Sequence, residues 1–129
     1  MLDNTWGPRF FSILRLVVGL MFLLHGTAKL FGWPPGGTPA NVPLFSLLGA
    51  AGIIESVGGS LVAIGLFARV AAFIASGEMA FAYFLAHAPH SFFPTLNRGE
   101  GAIFYCFFFF YVFLVGAGPW SIDRWFRRV

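Results

Sequence analysis

The chain has 129 residues, of which 58% are hydrophobic and 10% charged, against about 25% charged and 45–50% apolar in an ordinary soluble domain. So few charges cannot cover a soluble sphere of this size, and the 18 Phe residues and the small net charge of +3 exclude a disordered chain and a nucleic-acid binder as well. A bilayer is the solvent that fits, and the length allows one compact all-α membrane domain over residues 1–129.

The eight prolines cut the chain into four apolar stretches, about 9–32, 44–67, 70–88 and 100–118, none of which contains a proline. Each reads as a transmembrane helix, giving a four-helix bundle. The stretches lack the alternation that a β-barrel needs. Met1 to Pro8 holds no basic residue and no small-residue cleavage site follows, so the first stretch is expected to be retained rather than removed as a signal peptide. The loop from Trp33 to Pro43 is rich in Pro and Gly. The second and third stretches are separated by a tight turn near Arg69, the only charge between Glu55 and Glu78. A loop from Ala88 to Gly99 precedes the fourth.

The tail 119–129 reads as interfacial, with Trp120, Trp125 and Phe126 at headgroup level and Arg124, Arg127 and Arg128 facing lipid phosphates. Arg9, Arg15, Arg69, Arg124, Arg127 and Arg128 fall on the side of the termini, against Lys29 and Arg98 on the other. Six against two predicts a multi-pass protein with both termini in the cytoplasm.

Charges within a bilayer are costly and mark candidate sites. Arg15, His25 and Lys29 share one face of the first helix; Glu55 lies in the second, Glu78 in the third and Glu100 at the start of the fourth. Depths counted along the helices predict three pairs: Arg15 with Glu78, Lys29 with Glu100, and His25 near Glu55. One consequence of such pairing is ion pairs that fix helix register; another is a proton-accepting polar chamber. Glu55 sits in a ladder of small residues, Gly52, Ser56 and Ser60, that lets another helix approach closely, within the bundle or in a dimer.

His87 and His90 have a metal-like spacing, but Pro89 breaks the helical geometry and no third ligand completes it, so no metal is expected. A lone Cys106 excludes an internal disulfide and a C-x-x-C pair, which leaves redox chemistry to a bound cofactor or a partner. Glu100 aligns with Phe104, Phe107 and Tyr111, and part of this aromatic run, Phe107 and Tyr111, is a candidate wall for a flat ring such as a quinone head.

Arg15-Leu-Val-Val-Gly19 followed by His25-Gly-Thr-Ala-Lys-Leu-Phe-Gly32 resembles the first helix of the DoxX family of small membrane proteins. Glu55-x-x-Gly58-Gly59, Gly65-Leu-Phe-Ala-Arg69 and the pair Glu78-Met79 resemble it too. So do Asn97-Arg-Gly-Glu100 with Tyr105, and Gly118-Pro-Trp-Ser121-Ile-Asp123, which are similar to the family's Asn-Gly-Gly-Glu and Gly-x-Gly-x-x-Ser-Leu-Asp signatures. Arg98 stands where the family has glycine. The resemblance implies a four-helix protein of the cytoplasmic membrane linked to the respiratory quinone pool, as in thiosulfate:quinone oxidoreductase subunits, or to redox-stress complexes.

The leading expectation is therefore a redox protein with a quinone as cofactor between its helices. His25, Glu55 and Glu78 would act as proton-exchanging, catalytic groups, and Arg15, Lys29, Glu100, Phe107 and Tyr111 would form the binding wall. The expected partners are membrane lipid and a protein subunit or second copy. The alternatives are a non-enzymatic, partner-recruiting subunit and, less well suited to four helices, a small transporter.

Overall fold

The computed structural model of the chain describes residues 4–36 and 39–127. Arg128, assigned above to the tail, lies outside the described residues, as do residues 37 and 38 of the first loop. Six α-helices follow in chain order: α1 (Trp6–Phe31), α2 (Leu47–Ile64), α3 (Ala68–Ala82), α4 (Pro94–Asn97), α5 (Glu100–Val115) and α6 (Ile122–Arg127). Between α3 and α4 the helical path continues as a π-helical segment, Tyr83–His87, and a 3-10 turn, Ala88–His90. The membrane bundle consists of α1, α2, α3 with its extension, and α5, and no strand occurs among the described residues. Three of these, Trp6–Phe31, Leu47–Ile64 and Ala68–His90, are long and apolar enough to cross a bilayer. The fourth, α5, is apolar but has 16 residues, about 24 Å of rise.

Helix ends differ from the sequence expectation by a few residues, and local chemistry explains each. Pro8 sits in the first turn of α1, where its missing N–H costs nothing, so the helix starts before it. Ser46 caps α2 by accepting the Gly49 N–H at 3.0 Å, which keeps residues 44–46 outside the helix. Gly65 ends α2 with φ +73°; its N–H reaches the Val62 carbonyl and that of Leu66 reaches Leu61, a Schellman closure. The turn lies at Gly65–Phe67, just before Arg69. Gly116, with φ +90°, ends α5 short of the predicted residue 118.

The helices pack most extensively as two pairs, α1 with α2 and α3 with α5. Close approach in the first pair depends on glycine. A Cβ on Gly19 would lie 2.6 Å from the Ala63 nitrogen, and one on Gly59 would lie 2.6 Å from the Leu23 nitrogen. The α1–α5 contact is made by rings instead, Phe22 with Phe109 at 4.7 Å and Phe11 with Tyr111 at 5.6 Å between centroids. Phe22, Val62, Ala72, Ala75, Phe109 and Val112 form the centre of a small core. Large apolar side chains such as Phe45, Phe104 and Phe107 face outward, while Arg15, Glu55 and Asn97 are buried. That inversion is what a lipid solvent selects.

The end of the bundle that carries both chain termini is stitched by polar side chains. Arg15 does not pair with Glu78. Its Nε donates to the Val62 carbonyl at 2.9 Å, and Nη2 donates to Ala63 at 3.3 Å and Trp120 at 3.1 Å. Its Nη1 donates to Ala117. Arg69 donates to the carbonyls of Phe113 and Leu114 at the end of α5. Asp123 accepts the Phe67 and Ala68 N–H groups at 2.8 and 2.9 Å and so caps α3 from a distant part of the chain. The tail is thus a lock on the helix ends, and Trp120 N–H donates to Ser12 Oγ to tie it to α1.

Candidate functional site

At the other end of the bundle the two helix pairs separate around a chamber of about 390 Å³. The first helix supplies Phe22, His25 and Lys29, spaced at three and four residues on one face, and α2 supplies Leu48, Ala51 and Glu55. The third helix and its π extension supply Glu78, Met79, Ala82, Ala86 and His87; Arg98, Gly101, Ala102 and Tyr105 close the remaining side. His25, Lys29, Glu55 and Glu78 therefore line one space.

Their pairing is different from the prediction. Lys29 Nζ donates to Glu55 Oε2 at 2.7 Å. Glu55 is 2% exposed, so its charge is answered almost wholly by this lysine. Both Glu78 carboxyl oxygens are buried, with Lys29 and Glu55 as charged neighbours and the Glu55 carboxyl within side-chain hydrogen-bonding reach. The Tyr105 hydroxyl is buried with no hydrogen-bond partner among the described residues. Its ring meets the edge of His25 at 5.8 Å and lies 5.3 Å from Phe22. A buried polar atom left without a partner costs about 1–3 kcal/mol.

Glu100 stands outside the chamber, exposed in the first turn of α5, where a carboxylate suits the helix dipole. Phe107 and Tyr111 are 72% and 52% exposed and face away from the chamber. The aromatic wall is made by Phe22 and Tyr105 instead. The reason is that α5 is apolar all round, so its hydrophobic pattern does not reveal which face turns inward. The inward face holds Ala102, Tyr105, Phe109 and Val112. Arg15 is remote from the chamber, held at the stitched end.

The loop over the chamber is built on Asn97, which is 3% exposed. Its Nδ2 donates to Tyr83 Oη at 3.1 Å and to the Ser91 carbonyl at 3.0 Å, and its Oδ1 accepts the Gly99 N–H at 2.8 Å. The Asn97 carbonyl lies 3.0 Å from His87 Nδ1. The wider π-helical turn places His87 on the chamber wall; segments of this kind recur at functional sites. Arg98 has φ +62°, a conformation that favours glycine, and its side chain lines the chamber. His90 is exposed and does not line it. Sequence reasoning passed over Arg98 and Tyr105 as site residues; Tyr105 had a signal, being the polar aromatic three residues beyond Ala102 and four before Phe109.

A second cavity, also about 390 Å³, runs along the outside between α2 and α3. It is apolar, with Ile54, Ile74, Gly77, Phe81 and Leu85 in its walls. Leu48, Ala51, Glu78, Ala82 and Ala86 line both spaces, so Glu78 stands at their junction.

Comparison with known proteins agrees with this architecture. The sequence pattern of the family described as DoxX matches residues 10–88. A protein of Haemophilus influenzae, described as an uncharacterized protein, is 46% identical over 129 residues, covering 97% of this chain and 96% of its own length. No solved structure matches the chain.

Proposed function

This chain belongs to the DoxX family of membrane proteins, and we propose that it is a membrane-embedded redox protein of the quinone pool. The polar head of the quinone would enter the chamber and its isoprenoid tail would lie in the groove between α2 and α3. The observation that carries this reading is the shared wall: Glu78 borders a polar chamber on one side and an apolar groove on the other. A molecule with a flat hydrogen-bonding head and a long apolar tail fits such a junction.

The residues present fit that group. The buried Glu78 carboxyl and Tyr105 hydroxyl offer hydrogen bonds to ring oxygens, and Phe22 and Tyr105 provide aromatic walls. A bound quinone supplies two-electron, two-proton chemistry. Within the chain, Glu78 holds or releases a proton at its carboxyl oxygen, and the Lys29–Glu55 pair beside it sets the local charge. His25, on the exposed rim, exchanges protons with the outside. Electrons come from a partner redox protein, since the one cysteine cannot form a dithiol. The arginine distribution supports a reading with both termini in the cytoplasm of a prokaryote, the chain in its inner membrane and the chamber toward the outer face.

A second reading, a non-enzymatic subunit, is favoured by the structural use of Arg15 and by the closed Lys29–Glu55 pair. Glu78→Gln separates the two. On the redox reading, the purified wild-type protein carries quinone extractable with solvent. The variant would lose that quinone and, in liposomes with a reductant, about 100-fold of its quinone-dependent turnover, with an unchanged unfolding midpoint. Wild-type protein with no extractable quinone and no quinone-dependent turnover would decide for the non-enzymatic subunit.

A further inference from the structure

A third cavity lies far from the chamber, at the stitched end, where the α2–α3 turn, the end of α5 and α6 meet. Its volume is about 260 Å³, and Arg69, Arg124, Arg127 and Ser121 line it, with Phe67, Val70 and Val115 among its apolar walls. We propose that this cavity is a binding site for the phosphate of an anionic glycerophospholipid, with the acyl chains running down the outer surface of α3 and α5.

Charge and geometry support the assignment. Three guanidinium groups face one carboxylate, Asp123. Both oxygens of that carboxylate already accept the backbone N–H groups of Phe67 and Ala68, so it is engaged in capping α3. Arg124 and Arg127 form no ion pair among the described residues. Arg69 is anchored through Nη1 to the Phe113 and Leu114 carbonyls, which fixes its position while leaving its Nε and Nη2 hydrogens available. Guanidinium forks match phosphate oxygens, and several of them around one pocket favour an anion over a zwitterionic headgroup.

The surroundings distinguish a lipid from a soluble anion. Phe67 and Val70 are 67% and 64% exposed and line the pocket beside the arginines. Trp120, Trp125 and Phe126 are exposed on the same end of the molecule, where aromatic side chains sit at headgroup depth. A soluble phosphate would make no use of that apolar rim. A lipid phosphate would also bridge α6 to α3 and α5, reinforcing the lock that Asp123 and Arg15 make from the protein side.

Native mass spectrometry of the full chain in detergent, offered equal amounts of dioleoylphosphatidylglycerol and dioleoylphosphatidylcholine, tests this. The wild type should retain the anionic lipid preferentially. Arg124→Gln and Arg127→Gln, each on an exposed position of a short helix, should weaken its retention about 5-fold singly and about 30-fold together, with unchanged helical circular dichroism. Equal retention of the two lipids by the wild type would overturn the proposal, as would undiminished retention by the double variant. Inorganic phosphate binding as tightly as phosphatidylglycerol would replace it with a free-anion site. None of these readouts depends on quinone chemistry.

Discussion

Lys29 and Glu55 are joined at 2.7 Å but are not equally dependent on one another. The Glu55 side chain is 3% exposed and that of Lys29 is 20% exposed, on a long stem that can carry its ammonium outward. Removing the lysine leaves a carboxylate with nowhere to go, whereas removing the carboxylate leaves a cation that can reach polar surroundings. Lys29→Ala should therefore cost about 3–4 kcal/mol and Glu55→Gln about 1–2 kcal/mol, measured as unfolding midpoints in detergent. Equal losses would contradict this asymmetry. That these residues are buried was legible from their position in apolar stretches; who answers whom was not. Pairing depends on relative heights, and α1 begins three residues earlier than expected while α2 ends three earlier, shifts of about 4.5 Å each. Arg15 has Asp123 as a charged neighbour, but its hydrogen bonds among the described residues go to main-chain carbonyls, which carry no signature in a sequence.

Among the helices, the ladder of Gly52, Ser56 and Ser60 is resolved as an internal seam. Gly52 faces Leu30 and Ser56 faces Gly26, both on α1, while Ser60 donates to the Ser56 carbonyl within its own helix. A Cβ on Gly26 would lie 2.5 Å from the Ser56 nitrogen, and one on Gly59 would strike the α1 backbone. Gly26→Ala and Gly59→Ala should each destabilise by about 2–3 kcal/mol, because backbone cannot yield as a side chain can. Gly77→Ala, with nothing within 4 Å of its Cβ, should be neutral or stabilise by up to about 1 kcal/mol through helix propensity. Heat-induced unfolding in one detergent compares all three, and a neutral Gly59→Ala would refute the close seam. Small residues in α1 and α2 pointed to this packing; the inward face of α5 stayed hidden because every side of that helix is apolar.

At the scale of the molecule, the two tight pairs leave α2 and α3 apart over half their length, and the groove between them meets the chamber at Glu78. Gly77 lies in that groove beside open space. Gly77→Trp should fill it from a position that lines the groove alone. On the quinone reading, affinity for a decyl-tailed quinone then drops at least about 10-fold, in keeping with the apolar surface lost to the tail, while affinity for a tailless quinone is unchanged. Binding titrations of both ligands check this, and undiminished affinity for the decyl-tailed quinone would place the tail elsewhere.

Composition and proline spacing by themselves determined a lipid-embedded four-helix protein and singled out its few interior ionisable residues, because burying charge in hydrocarbon is too costly to be incidental. Short motifs over the whole chain pointed to the family. Only the tertiary structure decided that Lys29 serves Glu55, that Arg15 and Asp123 close helix ends, that Tyr105 and Arg98 rather than Tyr111, Phe107 and Glu100 line the chamber, and that Glu78 borders both chamber and groove. Each of these depends on the height and rotation of one helix against another. A difference of one turn or one face changes every partner while leaving the hydrophobic pattern of the chain almost unaltered.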